Sequence, residues 1–223
     1  WTRLVRSATV QPMQWSILLI SLLPLSPCLA SGQTLRLATW NLEWLVSPRT
    51  ARDSLNAGGD GQRRALACDV ARSVRRDSGD RARLRAQVRQ LGADVIAFQE
   101  VEDSATAGSL FRGYRICITT AEGVQQLGFA VRAGLPHRCE AALRLGAARR
   151  TRPAAIVRLF PDSGTELTLL AVHLKSGCSS QPLPDEGETG TSACTLLAGQ
   201  ARELSAWIDR QWRSGRRFVL MGD

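Results

Sequence analysis

Lysine is nearly missing from this chain of 223 residues: Lys175 is the only one, so every other basic residue is arginine. Histidine is almost as scarce, and any chemistry that needs an imidazole rests on His137 or His173. No segment of sequence repeats, which sets aside stacked-repeat architectures. Beyond the first thirty residues no apolar run approaches the ~20 residues a helix needs to cross a bilayer. Disordered and fibrous classes are excluded by 44% hydrophobic and 22% charged residues, an ordinary globular balance in a chain long enough for one sizeable core.

Residues 1–30 read as a signal peptide. Arg3 and Arg6 precede the apolar stretch from Trp15 to Leu25, and Cys28-Leu29-Ala30 is a small-residue cleavage signal. The domain is therefore expected to run over 31–223, and export to the periplasm or medium is expected. Lipoprotein anchoring through Cys28 is the minor alternative, because Pro27 just before the cysteine makes a poor lipidation site. Trp rather than Met stands first, as expected of an incomplete or misplaced start. The formal net charge is +9, and loss of Arg3 and Arg6 would leave +7. Such a balance favours polyanions, nucleic acid or acidic lipid surfaces. Two facts discount it: the arginine bias can reflect coding composition, and many arginines alternate with aspartate along one segment.

An exported chain can carry disulfides. Cys178 and Cys194 flank a Gly/Pro/Ser/Thr-rich stretch without periodicity, and a bridge closing a loop of that length stabilises by about 3 kcal/mol through the unfolded state. Cys117 and Cys139 are candidates for a second bridge, although spacing does not fix connectivity. Cys68 falls in a helical pattern and reads as a small buried apolar residue.

Four apolar runs end on residues that can hold a metal or move a proton: LRLATWN on Asn41, DVIAFQE on Glu100, LTLLAVH on His173 and FVLMGD on Asp223. Strands are expected at Leu35 to Asn41, Val95 to Gln99, Tyr114 to Thr119, Gly128 to Arg132, Ala142 to Leu145, Ala154 to Phe160, Thr165 to Leu174 and Arg217 to Asp223. The turn signal Pro161-Asp162-Ser163-Gly164 makes a hairpin of the sixth and seventh runs. Helical spacing over Arg63 to Leu91, interrupted near Asp77-Ser78-Gly79-Asp80, predicts two helices or one broken one. Shorter and longer helices are expected around Ala105 to Phe111 and over Leu196 to Arg213, and a loop over Val46 to Gly61. Strands interspersed with two helical layers predict a mixed α/β sandwich.

Each candidate has a chemical reason. A carboxylate at the end of a buried strand is costly unless paired or bound to a cation, which singles out Glu100. Glu102 and Asp103 compete for that role from the following loop, and Glu43 is a lesser candidate two positions after Asn41. Asn41 offers amide oxygen and N–H groups to a metal ligand or to phosphate without adding charge. His173 has an unperturbed pKa near 6.5, suited to proton transfer or a phosphate hydrogen bond. Lys175, two residues on, is placed to contact substrate phosphate. Gly222 lets the backbone approach a ligand or turn sharply before Asp223. His137 reads as a loop residue without a visible role.

The ordered pieces Thr39-Trp40-Asn41, Gln99-Glu100-Val101, Val172-His173-Leu174 and Met221-Gly222-Asp223 resemble the endonuclease/exonuclease/phosphatase superfamily, the deoxyribonuclease-I-like fold. The run from His173 to Cys178, with Cys194, Gln200 and Trp207 beyond it, looks like a bacterial exported branch. The resemblance implies a four-layered α/β sandwich of two mixed sheets flanked by helices and a metal-dependent phosphoric ester hydrolase. By it, Glu100 binds Mg²⁺ or Mn²⁺, with Asn41 supporting metal and phosphate. His173 stabilises the pentacovalent transition state or protonates the leaving oxygen, and Asp223 orients the attacking water. A nuclease acting on nucleic acid is the leading expectation. A phospholipid or inositol-phosphate phosphoesterase is the alternative within that class, for which Trp44 is the nearest candidate membrane-facing aromatic. A disulfide-bearing binding module without chemistry is the alternative outside it. The Phe-Asn that follows the family's Gly-Asp, and its later Asp-His pair, are absent. The expectation is thus a chain truncated after Asp223, short of its last strands and with little or no turnover by itself, whose full-length product is the enzyme.

Overall fold

Apolar residues fall on both faces of the central strands, and the computed structural model shows what covers each face. The structure describes residues 34–56, 75–121, 123–146, 151–160, 165–178, 182–184 and 192–223. Among them are eight strands: β1 (Leu37–Leu45), β2 (Val95–Val101), β3 (Tyr114–Ile118), β4 (Gln126–Arg132), β5 (His137–Cys139), β6 (Ala155–Leu159), β7 (Leu167–Val172) and β8 (Arg217–Gly222). Four helices accompany them: α1 (Pro48–Asn56), α2 (Ser78–Leu91), α3 (Ser104–Leu110) and α4 (Ala193–Arg213). The signal peptide, Cys28, Cys68, the turn at 161–164 and much of the disulfide-closed loop lie outside the described residues.

The strands form two mixed four-stranded sheets, ordered β1-β2-β4-β3 and β5-β6-β7-β8. Alternation along β2 shows the layering. Val95 and Ala97 face the second sheet and join Leu127, Phe129, Val157, Leu159, Leu169 and Ala171 in a core between the sheets. Ile96 and Phe98 face the other way, onto Val88 of α2 and Leu110 and Phe111 at the end of α3. On the far side of the second sheet, Leu170 and Val172 pack under Leu204 and Trp207 of α4. The result is the expected helix–sheet–sheet–helix sandwich, with both faces of the inner strands buried.

Within each sheet one pair of strands is parallel: β1 with β2, and β7 with β8. Parallel pairing sets the carboxyl ends of two strands side by side; here the ends of β2, β7 and β8 carry Glu100, His173 and Asp223, and the register shift midway along β1 starts at Asn41. The expected hairpin is the antiparallel pair β6 and β7. Both candidate disulfides are present. Cys117–Cys139 joins β3 of one sheet to β5 of the other, and Cys178–Cys194 ties the segment after β7 to the start of α4.

Three expectations need correction. The stretch read as a loop over Val46 to Gly61 contains helix α1, whose first turn is capped from a distance. Ser47 Oγ accepts from Thr50 N at 3.1 Å, and the Glu102 carboxylate accepts from Ser47 N at 2.5 Å and from the Thr50 hydroxyl. His137 is not a loop residue but opens β5, opposite Leu159. Residues Ala142 to Leu145 do not form a strand and make only an isolated bridge between Leu143 and Ala154.

Gly128 sits where β4 passes closest to its neighbours. A Cβ there would stand 2.2 Å from the Cys117 carbonyl oxygen and 2.8 Å from Phe98 Cζ. Gly128→Ala should therefore destabilise the protein by about 2–3 kcal/mol or more, read as a lower denaturant midpoint with both disulfides intact.

Candidate active site

Each strand end reaches the site through a local departure from regular geometry. Glu100 has φ 61°, and the β2–β4 register shifts between Phe98 and Val101. The bulge breaks strand alternation and turns the Glu100 carboxylate to the rim, with its side chain only 12% exposed. A second shift in the β1–β2 register lies between Asn41 and Leu45, where Glu43 (φ 47°) and Trp44 (φ 55°) are also left-handed. On the other sheet, Gly222 has φ 130°, and a Cβ there would fall 2.0 Å from the Val172 carbonyl oxygen. Only glycine permits that approach. Asp223 then continues the ladder: its N–H donates to Val172 O at 3.1 Å and its carbonyl accepts from Leu174 N at 3.0 Å.

Side chains converge around the Asn41 amide. Its Nδ2 donates to Asp223 Oδ2 at 2.7 Å and to Glu100 Oε1 at 3.3 Å. Its Oδ1 is turned away and accepts from Glu43 N at 2.8 Å. Glu100 Oε2 accepts from Trp44 N at 3.1 Å. His173 Nε2 lies 3.5 Å from Glu100 Oε1, and its buried Nδ1 has no hydrogen-bond partner. Burial lowers the His173 pKa below 6.5, helped by the Arg152 charge and opposed by Glu100 and Asp223. The ring is therefore neutral at pH 7.

Two arginines complete the arrangement, and no sequence pattern distinguished them from the many others. Arg152 reaches the carbonyls of His173 and Leu174 at 3.5 and 3.3 Å and Gln125 Oε1 at 3.0 Å. Burial lowers its pKa while Glu100 and Asp223 raise it, and a guanidinium stays charged throughout. Arg76 gathers the carbonyls of Leu42, Glu43 and Trp44 at 2.8, 3.2 and 3.4 Å, closing the β1 bulge from behind. A helical pattern before Asp77 was visible in the sequence; its return to β1 was not.

The structure thus brings together Asn41, Glu100, His173 and Asp223. Lys175 Nζ donates to Ser176 O at 2.7 Å, and its backbone N–H to Gln200 Oε1 at 2.7 Å. Glu43 does not face the way that simple alternation from Asn41 implies, because the bulge intervenes. Glu102 and Asp103 serve helix starts instead. Glu102 holds α1, and Asp103 is the N-cap of α3, accepting from Thr106 N at 2.7 Å. Trp44 is half-buried and packs against Val46 and Ala51.

No family model and no curated protein matches the sequence. Among solved structures, a humanized D. rerio TDP2 is similar over 85% of this chain and 61% of that one, with 14% identity and a TM-score of 0.50. This likeness bears on the fold, and it agrees with the two-sheet α/β sandwich that the resemblance to the endonuclease/exonuclease/phosphatase superfamily implied. A β-hairpin deletion mutant of Staphylococcus aureus beta toxin aligns over 85% of this chain and 66% of that one, at 13% identity and TM-score 0.49. The human Nocturnin catalytic domain with bound sulfate covers 66% of this chain and 57% of its own, at 15% identity and TM-score 0.45. This chain therefore spans about 61% of the TDP2 structure that carries the superfamily fold.

In this fold the Asn41 amide separates two carboxylates. Asn41→Asp would set a third carboxylate against them, and in chelator it should cost about 1–3 kcal/mol, measured by urea unfolding. Asn41→Ala removes the shared donor without adding charge and should cost less.

Proposed function

We propose that the protein is an exported, divalent-metal-dependent phosphoesterase, a nuclease that hydrolyses phosphodiester bonds of nucleic acid. The observation that carries this reading is the meeting of Glu100 and Asp223 around Asn41 with the His173 imidazole 3.5 Å from Glu100. The donor set fits Mg²⁺ or Mn²⁺: both charged ligands are hard carboxylate oxygens, and one or two carboxylates suffice for such ions when phosphate and water supply the remainder. The bound cation supplies Lewis acidity and charge neutralisation at phosphorus.

The chain's own residues divide the remaining work. Glu100 is the principal metal ligand, held by Trp44 N–H and the Asn41 amide. Asn41 acts through its NH₂ group, positioning the carboxylates and offering a donor to a phosphate oxygen; its own oxygen is committed to Glu43 N–H. Asp223, the exposed member, is placed to orient the attacking water. His173, neutral and with Nε2 toward Glu100, is placed to donate an N–H hydrogen bond that stabilises negative charge as it develops at phosphorus and the leaving oxygen. Arg152 keeps positive charge behind these groups, which draws phosphate toward a site that also carries two carboxylates.

Nucleic acid is favoured by the positive balance, +9 over the whole sequence and +7 once Arg3 and Arg6 leave with the signal. The lipid alternative needs an exposed apolar loop beside the site, and its candidate, Trp44, is packed against Val46 and Ala51. A binding module without chemistry leaves the convergence of four functional side chains without a purpose. The two disulfides support an oxidising compartment.

The test is hydrolysis of plasmid DNA and of bis(p-nitrophenyl) phosphate by the full-length protein, with Mg²⁺ and with chelator. Glu100→Ala and His173→Ala should each lower kcat/KM by about 10²-fold or more, and chelator should abolish turnover. Equal rates in both variants and wild type would sink the site assignment.

A further inference from the structure

A second cluster lies on strands that contribute nothing to the site above. Cys117 of β3, with His137 and Cys139 of β5, place one ligand atom each within 4.8 Å of one another. His137 and Cys139 are two residues apart on one strand and so share a face, while Cys117 arrives from the opposing sheet. In the oxidised protein the two cysteines are joined. From this geometry we infer that, once the Cys117–Cys139 bridge is opened, the two thiolates and His137 form a binding site for a thiophilic divalent cation such as Zn²⁺.

The ligand set matches a known preference. Tetrahedral zinc sites with two thiolates and one imidazole keep ligand atoms about 3.5–3.8 Å apart, given Zn–S near 2.3 Å and Zn–N near 2.0 Å. The cysteine Cα atoms, 5.4 Å apart, let the sulfurs separate to that spacing by side-chain rotation. One ring nitrogen of His137 is already committed. Its Nδ1 lies 2.8 Å from the Leu135 carbonyl oxygen, so Nδ1–H donates there and Nε2 keeps its lone pair, the arrangement that fixes metal-binding histidines. A cleft of about 220 Å³ lies beside the two cysteines, lined by Cys117, Cys139, Thr119, Glu140 and Ala142. Glu140, the nearest carboxylate in sequence, is held by Arg138 and Arg158 at 2.8 and 3.0 Å.

Access and balance are straightforward. Cys139 is exposed while Cys117 is buried, so an external dithiol reaches the bridge at Cys139. The dithiol gives two electrons and two protons and leaves as a cyclic disulfide; Cys117 and Cys139 become thiols. Binding of the cation then releases both thiol protons. The same three residues tie the two sheets together in either state, covalently when oxidised and through the metal when reduced.

Co²⁺ is the probe. The full chain with serine at Cys28, Cys68, Cys178 and Cys194 is reduced with dithiothreitol, freed of it without oxygen, and titrated. The expected result is a near-ultraviolet thiolate-to-cobalt charge-transfer band saturating at one ion per chain, absent from the oxidised protein. His137→Ala should weaken cobalt affinity by at least about tenfold. No band in the reduced protein, or equal affinity in His137→Ala, overturns the proposal. Should the serine background fail to fold, alkylation of the reduced native sequence decides. Zn²⁺ should slow modification of Cys117 and Cys139, mapped by peptide mass, and unchanged rates at both overturn it.

Discussion

Two carboxylates reach one point from different sheets, and a single amide group keeps them apart. Asn41 Nδ2 donates to Glu100 and Asp223 at once, linking residues 182 positions apart in sequence. Most of the architecture around the site serves that meeting. The parallel pairs β1/β2 and β7/β8 set three strand ends and the bulge of β1 at a common rim, and the core between the sheets lies beneath them. Removing the amide would leave like charges facing each other without a shared donor, at a cost that grows with burial. A cation at the same place would offset that repulsion more fully than an amide does, so the apo arrangement already has the electrostatic form of a metal site.

Backbone strain concentrates at the same rim. Among the described residues, the non-glycine residues with positive φ are Glu43, Trp44 and Glu100, each in a conformation that costs on the order of 1–3 kcal/mol. Such conformations persist only where neighbours over-determine them. Here the constraints are identifiable: Arg76 collects three successive carbonyls of the bulge, and Glu100 accepts from Trp44 N–H, so one strained residue holds another. Strain and carboxylate position are thus one feature. Relaxing the bulge to regular pleating would send Glu100 back into alternation and away from Asn41.

What the sequence made legible follows from which signals are local. The apolar runs ending on Asn41, Glu100, His173 and Asp223 were readable because burial imposes periodicity on each strand by itself, and the sandwich followed from their order. Helix α1 was not readable, since its first turn depends on Glu102, 55 residues from Ser47, and a stretch rich in Ser, Pro and Asp carries a loop signature without that partner. Glu43 was misdirected because alternation presumes a regular strand, and a bulge leaves no mark in composition. Arg152 and Arg76 were hidden by abundance: in a chain where every lysine-or-arginine position but Lys175 is arginine, neither stands out until its carbonyl partners are known.

The same scarcity that hides the arginines sharpens the two histidines. His173 is largely buried, lies beside Glu100 and has a pKa lowered mainly by burial; a proton entering it must be stabilised by Glu100 or Asp223, which ties its protonation to the carboxylates beside it. His137 lies at an edge strand, one nitrogen committed to a backbone carbonyl and cysteine sulfurs nearby. A hard carboxylate oxygen stands beside the first and soft sulfur beside the second, so the cations proposed at the two places differ in character. The two sit apart because Glu100 and His173 lie where β2 and β7 end, whereas Cys117, His137 and Cys139 come from β3 and β5 at the outer edges of the two sheets.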